Sequence, residues 1–177
     1  YDMGGRKVTM SDPDLGAWRY AYDRQDKLVR QTDARQQTIC LYYDAIGRLA
    51  GKDLNQGSAG GCAAAPAYEL TYTYDSWHST SNRSRGQVTQ VRYTDGSYTR
   101  NLSYNSEWLL AAESVSIGGA PQGYTTGYSY DVYNRLATTT YPGGETVTVS
   151  GFTARGLPTG LRSSVGSITL VDNVAYE

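Results

Sequence analysis

Several residue types are scarce in this chain of 177 residues, and each scarcity narrows the choice of fold and function. Phenylalanine occurs once, at Phe152, whereas tyrosine occurs 17 times. Because tyrosine adds apolar area but needs its hydroxyl hydrated or hydrogen-bonded, a chain so rich in it should have sheet faces that contact water. Hydrophobic residues make up 39% of the chain, below the usual share of globular proteins. A thick, dry core is therefore not expected.

Long apolar runs and blocks of one charge are missing as well. No stretch approaches the roughly 18 apolar residues of a membrane span. The 16 basic and 17 acidic residues are mixed along the chain, so no basic block suits a phosphate backbone and nucleic acid is not an expected partner. The chain begins at Tyr1 without a methionine, which we interpret as the sign of an excerpt from a longer protein. The absence of a secretion signal at its start therefore says little.

Histidine and cysteine are too few for most catalytic or metal sites. The one histidine is His78, and no motif places it with a nucleophile and an orienting acid. A histidine-based metal site would need a second histidine or a Cys/His cluster, so a histidine in a surface loop is the favoured interpretation. We therefore expect no enzyme activity and no cofactor. Cys40 and Cys62 could pair, but two cysteines do not make a disulfide framework and their spacing is not that of a metal site. Two separate thiols, one in a strand and one in a loop, are the favoured interpretation.

A repeated Tyr-Asp pair is the most prominent feature of what the sequence does contain. It occurs at Tyr1-Asp2, Tyr22-Asp23, Tyr43-Asp44, Tyr74-Asp75 and Tyr130-Asp131, with near copies at Tyr104-Asn105, Phe152-Thr153 and Tyr176-Glu177. The separations of the aromatic residues are 21, 21, 31, 30, 26, 22 and 24. A repeat of 21 residues with insertions near 55–67, 76–84 and 118–123 explains them, because lengthening a surface loop costs little entropy.

Each repeat predicts a β-hairpin. Aromatic and β-branched residues alternate at Trp18, Tyr20 and Tyr22 and again at Leu70, Tyr72 and Tyr74, which is typical of strands. The segment "SEWLLAAE" (Ser106 to Glu113) is also interpreted as strand, because it follows a Tyr-Asn pair as "GRLAG" follows a Tyr-Asp pair. No segment has a convincing helical pattern.

Two kinds of turn alternate along the chain. After each Tyr-Asp, the aspartate can accept hydrogen bonds from the turn's own N–H groups, and a Gly, Asp or Asn in the fourth position tolerates positive φ. Gly47 is the example after Asp44, and Arg48 is placed to reach a carboxylate across the hairpin or in the next repeat. Second turns are expected at 12–16, 32–36, 94–97 and 141–145. The prediction is an all-β, antiparallel meander.

The pattern Tyr-x-Tyr-Asp-x-x-Gly-Arg-Leu resembles the YD repeat of RHS proteins. The best copy is "YYDAIGRLAGKD" (Tyr42 to Asp53); "YSYDVYNRLATTTYPGGETVT" (Tyr128 to Thr148) has Asn134 in place of glycine, and "YAYDRQDKLVRQTD" (Tyr20 to Asp33) lacks both Gly and Arg. The residues that define the repeats are Tyr1, Asp2, Gly5, Arg6, Tyr20, Tyr22, Asp23, Tyr43, Asp44, Gly47, Arg48, Leu49, Tyr72, Tyr74, Asp75, Tyr104, Tyr128, Tyr130, Asp131, Arg135 and Leu136.

The resemblance implies more than the spacing does. In bacterial RHS toxins, insecticidal toxin complexes, wall-associated proteins and teneurins, such repeats form a large hollow β-shell, and in the bacterial forms the shell encloses a toxic C-terminal segment. By resemblance, residues 1–177 are one run of roughly six to seven repeats in a continuous, curved sheet, a fragment of a longer secreted, exported or cell-surface chain whose partners are its own further repeats and effector. The "DPDLG" segment (Asp12 to Gly16) is similar to a self-cleavage motif of the family but occupies an ordinary second turn.

Three other interpretations compete with a structural role. Exposed Tyr and Trp, above all Trp77 and Trp108, could contact glycans, a cell-surface protein or a secretion-system protein. Asp12 and Asp14 could suggest calcium, but the further ligands of a calcium loop are missing and turn-forming aspartates are favoured. The aspartates of the Tyr-Asp pairs could suggest a glycosidase, yet that chemistry needs two carboxyls about 5–10 Å apart in one cleft; one per hairpin indicates a structural ladder.

Overall fold

A computed structural model describes residues 1–56, 62, 68–76, 79, 82–118, 120 and 123–176. Within them the regular structure is entirely β. The strands are β1 (Thr9–Asp12), β2 (Gly16–Tyr22), β3 (Leu28–Thr32), β4 (Thr38–Tyr43), β5 (Leu49–Gln56), β6 (Leu70–Tyr74), β7 (Val88–Tyr93), β8 (Tyr98–Tyr104), β9 (Leu110–Ile117), β10 (Tyr124–Tyr130), β11 (Leu136–Thr140), β12 (Thr146–Phe152), β13 (Pro158–Ser163) and β14 (Thr169–Val171).

The strands follow one another in the sheet in the order of the chain, from β1 to β14. Neighbours such as β1 and β2, β4 and β5, and β12 and β13 are antiparallel, so the predicted all-β meander is confirmed. The chain forms two compact units: Tyr1–Thr73 with Val91–Gly96, and Tyr74–Gln90 with the chain from Ser97 onward. In the part that the structure describes, no helix has the length and apolar character to cross a membrane.

The two kinds of turn are where the sequence places them. The first kind joins β2 to β3, β4 to β5, β8 to β9, β10 to β11 and β12 to β13; the second kind joins β1 to β2, β3 to β4, β7 to β8 and β11 to β12. In the first kind, the fourth residue has positive φ and its N–H donates to the carbonyl of the first. These fourth residues are Gly5, Asp26, Gly47, Trp108, Asn134 and Gly156.

The prediction of strand for the whole of Ser106–Glu113 is partly wrong. Strand β9 begins at Leu110, and Asn105 to Leu109 form a first-kind turn in which Trp108 has a φ of 66°. Asn105 caps this turn as an aspartate would, because its side-chain oxygen accepts the N–H groups of Glu107 and Leu109 at 3.0 and 2.9 Å. The strand was predicted from the position of the segment in the repeat, and the residue type did not indicate the turn, because a tryptophan in the left-handed region is unusual.

The sheet has little fully buried apolar surface. Among the described residues, the buried apolar ones are Cys40 and Leu102, at 0% and 8% exposure. Most tyrosines are only half-buried, as in Tyr22, Tyr43, Tyr104 and Tyr130. The expectation of a chain without a thick, dry core is confirmed for this part of the chain.

The two faces of the second unit differ in chemistry. Directly opposed residues of neighbouring strands lie on one face, and one face of β8–β12, the hydroxyl face, consists of Thr99, Asn101, Ser103, Ala112, Ser114, Ser116, Thr125, Gly127, Ser129, Thr138, Thr140, Thr146 and Thr148. The other, the tyrosine face, comprises Tyr98, Arg100, Leu102, Glu113, Val115, Ile117, Tyr124, Thr126, Tyr128, Thr139 and Val147.

A disulfide joins Cys40 to Cys62, with the two Cα atoms 5.6 Å apart. The favoured prediction of two separate thiols is therefore wrong. Cys40 lies in β4 and is fully buried, and Cys62 follows β5 in the first predicted insertion. Spacing alone could not decide this, because the approach of the two Cα atoms depends on the β4–β5 hairpin that separates them.

The predicted insertions fall largely outside the described residues. The structure describes residues 55, 56 and 62 of the first, 76, 79 and 82–84 of the second, and 118, 120 and 123 of the third. Trp77 and His78 both lie outside the described residues. Residues 55 and 56 of the first predicted insertion belong to β5, which ends at Gln56, and β10 begins at Tyr124, directly after the third.

Replacing Gly47 with valine should destabilise the chain by about 1–3 kcal/mol, because a β-branched residue is strained at positive φ, and Gly47 has a φ of 90°. Gly47→Asn is the matched control. Both place a Cβ 2.4 Å from the Nζ atom of Lys27, but asparagine tolerates the left-handed region. Urea unfolding of both variants tests this, and equal stability losses would contradict the turn assignment.

Replacing both Cys40 and Cys62 with alanine should lower the free energy of unfolding by about 3 kcal/mol, because the disulfide closes a loop of 22 residues in the unfolded chain. Thermal unfolding with and without a reductant measures the effect. The reductant should destabilise the wild type and leave the double variant unchanged. An unaltered melting temperature of the reduced wild type would show that the bond does not support the fold.

Candidate functional site

The first-kind turn brings together the residues that define the repeat, and Asp44 is at its centre. Its Oδ1 atom accepts the N–H groups of Ile46 and Arg48 at 3.1 and 2.8 Å, and its Oδ2 atom accepts Nε of Arg48 at 2.7 Å. A short aspartate at the start of a turn is well placed for such bonds. The carboxylate therefore closes the turn and fixes the arginine.

The same arrangement recurs in other repeats. Asp2 accepts the N–H groups of Gly4 and Arg6 and pairs with the Arg6 side chain at 2.7 Å. Asp131 accepts those of Tyr133 and Arg135 and pairs with the Arg135 side chain, also at 2.7 Å. In these three turns the aspartate thus caps its own turn and holds the arginine of the same turn. The alternative of a glycosidase pair finds no support in this geometry.

Variations of the turn keep the cap while changing the residue. Asp23 accepts the N–H groups of Gln25 and Lys27 at 2.8 and 2.9 Å. Thr153 accepts that of Leu157 through its hydroxyl at 3.1 Å. Asp75 has an insertion inside its turn, and its N–H donates to the carbonyl of Gln87 while its carboxylate accepts the N–H of Gly86. The turn therefore survives both substitution and insertion.

The arginines contact carboxylates within their own turn, and Arg6 also contacts one in the next repeat. Arg48 pairs with Asp44 across its hairpin, one of the two contacts that the sequence predicted for it. Arg6 pairs with Asp2 and also with Asp26 of the following turn, at 2.6 Å. The guanidinium of Arg6 thus connects two successive hairpins.

A hydrogen bond between repeats, which sequence reasoning missed, involves the tyrosine of three Tyr-Asp pairs and of two near copies. The Tyr43 hydroxyl donates to the carbonyl of Leu28 at 2.8 Å, and the Tyr130 hydroxyl donates to that of Leu110 at 2.9 Å. The acceptor lies five residues after the first turn residue of the preceding repeat. The same bond joins Tyr22 to Lys7 and Tyr176 to Pro158, and Tyr104 makes the equivalent bond to Val88.

The strong preference for tyrosine over phenylalanine was the sequence signal for this bond. Phe152 occupies the tyrosine position of its repeat and has no hydroxyl to donate. Its ring instead lies 3.9 Å from the guanidinium carbon of Arg135. Arg6 over Tyr22 and Lys27 over Tyr43 show the same stacking at 5.1 and 5.3 Å. Each such ring is thus covered by a cation of the preceding repeat.

The pKa shifts of these groups follow from their contacts. The hydrogen bond from Arg48 lowers the pKa of Asp44, and the hydrogen bond from Arg6 lowers the pKa of Asp2. Burial raises the pKa values of Tyr43, Tyr104 and Tyr130. Carboxylates held ionised and phenols held protonated suit fixed hydrogen bonding better than proton transfer.

The other residues that the sequence assigned to the repeats lie mostly in strands. Tyr20 stacks on Trp18 in β2 with ring centroids 6.5 Å apart, Tyr72 and Tyr74 lie in β6, and Tyr128 lies in β10. Leu49 and Leu136 begin β5 and β11. Tyr1 is 80% exposed.

The catalytic and metal alternatives gain no support from the described residues. Asp12 accepts the N–H groups of Asp14 and Leu15 at 2.9 and 2.8 Å, which is a turn cap. No group of three or more His, Cys, Asp or Glu side chains in the described part of the chain could hold a metal ion. Trp108 is 43% exposed and, of the two proposed ligand contacts, is the one that the structure describes.

Removing the phenol hydroxyl at Tyr43 and adding one at the equivalent position, Phe152, should change the free energy of unfolding in opposite directions. Tyr43→Phe removes the bond to Leu28 and should cost about 0.5–1.5 kcal/mol. Phe152→Tyr can donate to the carbonyl of Leu136, the equivalent acceptor, and should stabilise by a similar amount. Urea unfolding measures both, and a Phe152→Tyr variant less stable than wild type would contradict the equivalence of the two positions.

Acid should weaken the turns through their aspartates. Because the folded-state pKa of Asp44 is below its ordinary value of 3.8, the unfolded chain binds the proton first as the pH falls. The carboxylate's contribution is present above this value and is lost as the pH falls through the folded-state pKa. As the pH falls from 7 to 2, the urea midpoint should fall less steeply for Asp44→Asn than for the wild type. Arg48→Met should be intermediate, because the main-chain N–H groups that donate to Asp44 remain. Identical slopes would exclude this role of Asp44.

Comparison with known proteins agrees with the repeat architecture. Residues 116–146, which contain β10 and β11, match the family model described as RHS Repeat. No curated protein sequence matches the chain.

Solved structures share the fold over the whole chain. A structure of the Photorhabdus luminescens Tc holotoxin pore carrying the TccC3-D651A mutation aligns with a TM-score of 0.75 at 15% identity, covering 100% of this chain and 9% of its own. Crystal structures of TcdB2-TccC3-Cdc42 and of TcdB2-TccC3 align with TM-scores of 0.78 and 0.77, both at 16% identity, covering 100% of this chain and 9% and 10% of theirs.

The chain therefore spans about a tenth of the solved chains that it matches, and at this identity the match shows the fold. The Tyr-Asp repeats, the RHS match and this fold agree with one another. They confirm the predicted resemblance to RHS-repeat proteins, and the sheet is one that the solved Tc toxin chains also contain.

Proposed function

We propose that this chain is a non-catalytic segment of the β-shell of a larger, exported, toxin-like polypeptide, and that the shell encloses or presents a C-terminal effector. The observation that carries the proposal is the use of the repeated groups. Most of the aspartates and arginines that define the repeats, and the tyrosines that bond to a main-chain carbonyl, hold their own turn or a neighbouring hairpin. Side chains engaged in this way in successive repeats serve construction rather than chemistry.

Two further observations support the proposal. The fold matches chains about ten times longer over the full length of this one, so its partners would be further repeats and an effector of the same polypeptide. The Cys40–Cys62 disulfide is typical of proteins in oxidising compartments, which fits a secreted, exported or cell-surface location.

Limited proteolysis of the full-length polypeptide that contains this chain tests containment. A region downstream of the repeats should resist trypsin in the native protein and be cut once urea opens the shell. Tyr43→Phe with Tyr130→Phe removes two bonds between repeats and should lower the urea concentration needed. Tyr141→Phe, at an exposed tyrosine of a second turn, is the control. Equal digestion of the downstream region in native and unfolded protein would exclude containment.

A binding module is the second candidate, and Trp108 is the observation that favours it. The side chain is 43% exposed on a turn whose other residues Asn105 and Glu107 line an open cleft of about 610 Å³. Exposed aromatics beside amide and carboxylate groups suit glycans or a protein partner. On a glycan array, the wild-type chain should bind glycans that the Trp108→Ala variant no longer binds, and Trp77→Ala tests the other tryptophan. An array without hits, or hits that both variants keep, would count against this function.

A further inference from the structure

The hydroxyl face of β8–β12 is unusual for an exposed sheet surface. Apart from Asn101, Ala112 and Gly127, every member is serine or threonine. The face has no charged, aromatic or large aliphatic side chain. Ordinary protein surfaces interleave charges of both signs, so this uniform composition calls for an explanation.

Neighbouring hydroxyls on this face bond to one another across the strands. The hydroxyls of Thr140 and Thr146 lie 3.2 Å apart, and those of Ser129 and Thr138 are also hydrogen-bonded. A hydroxyl that already has a hydrogen-bond partner gains little free energy by exchanging it for a group of another polypeptide. The net value of one hydrogen bond is only about 0.5–1.5 kcal/mol. The face therefore presents groups that form weak, exchangeable contacts.

The tyrosine face on the other side of the same strands has the opposite character. Arg100 and Glu113 form an ion pair at 2.7 Å, and Leu102 is 8% exposed. Tyrosine and arginine are enriched among residues that dominate binding energy, whereas serine and threonine are under-represented there. A polypeptide held against the tyrosine face would find aromatic and charged anchors, and the hydroxyl face offers none.

We propose that the hydroxyl face is the surface that lies against the enclosed effector, an extended or unfolded polypeptide, and that its chemistry keeps that polypeptide unbound and free to leave. This inference rests on the containment proposed above and specifies which face performs it. An unfolded chain exposes its apolar side chains. A face of short hydroxyl side chains offers no apolar surface against which they could be buried, so the hydrophobic effect gives little binding.

Single cysteines on adjacent residues of β11 test the assignment in the full-length polypeptide. Thr140→Cys adds a thiol to the hydroxyl face, and Thr139→Cys adds one to the tyrosine face. Cys40 and Cys62 are already joined, so labelling by a bulky maleimide beyond that of the unsubstituted polypeptide reports the new thiol. In the native protein, the thiol of Thr140→Cys should be protected from labelling, whereas the thiol of Thr139→Cys should be labelled. Both thiols should react after urea unfolding, and Ser129→Cys replaces Thr140→Cys if that variant fails to fold.

The outcomes separate this inference from the containment on which it rests. Protection of Thr139→Cys with labelling of Thr140→Cys would overturn the face assignment and leave containment standing. Labelling of both thiols in the native protein would overturn containment, and the assignment with it. Protection of Thr140→Cys and Ser129→Cys, with Thr139→Cys labelled, supports the proposal.

Placing an aromatic residue on the hydroxyl face tests the weak contacts directly. Thr148→Tyr should slow release of the effector after the shell is opened, because tyrosine supplies the binding surface that threonine lacks. Val147→Tyr, on the tyrosine face of the same strand, is the matched control and should leave the release rate unchanged. Equal release rates for the wild type and Thr148→Tyr would contradict the proposal that the hydroxyl face keeps its contacts with the effector weak.

Discussion

The hydrogen bond from a tyrosine hydroxyl to a main-chain carbonyl of the preceding repeat is the contact on which much of the structure depends. Tyr43 donates to Leu28, Tyr104 to Val88 and Tyr130 to Leu110. A sheet without a thick core cannot hold its hairpins in place by burial alone. The phenol solves this because its ring covers the sheet while its hydroxyl fixes the distance to the neighbouring repeat.

The aspartate turn supplies the geometry that this bond requires. Asp44 closes its turn through two N–H groups and holds the Arg48 side chain, so the strand that follows starts at a defined residue. In other repeats, the carbonyl of the first residue of this strand accepts the hydrogen bond from a tyrosine hydroxyl. Stability then arises mostly between neighbouring hairpins, as in other repeat proteins, and an insertion at Asp75 can be accepted without loss of the turn.

Sequence reasoning found the hairpins, both kinds of turn and the roles of Asp44 and Gly47, because each depends on residues close together in the chain. It erred at Ser106–Leu109, where Trp108 takes a positive φ that the residue type does not favour. It also failed to pair Cys40 with Cys62 and missed the tyrosine hydroxyl bond. The hydroxyl bond crosses from one hairpin to the next, and the disulfide joins residues on either side of the β4–β5 turn. Local pattern gives the residues of such contacts but not their partners.

The sequence by itself determined the repeat, its period, the antiparallel meander and the likeness to RHS proteins, since strand alternation and turn chemistry are read over a few residues. The tertiary structure decided which carbonyl each tyrosine reaches, that the disulfide forms, and how side chains divide between a hydroxyl face and a tyrosine face. Those features depend on the register between strands. Because a shift of one residue moves every side chain to the other face, register is settled only when the strands pair.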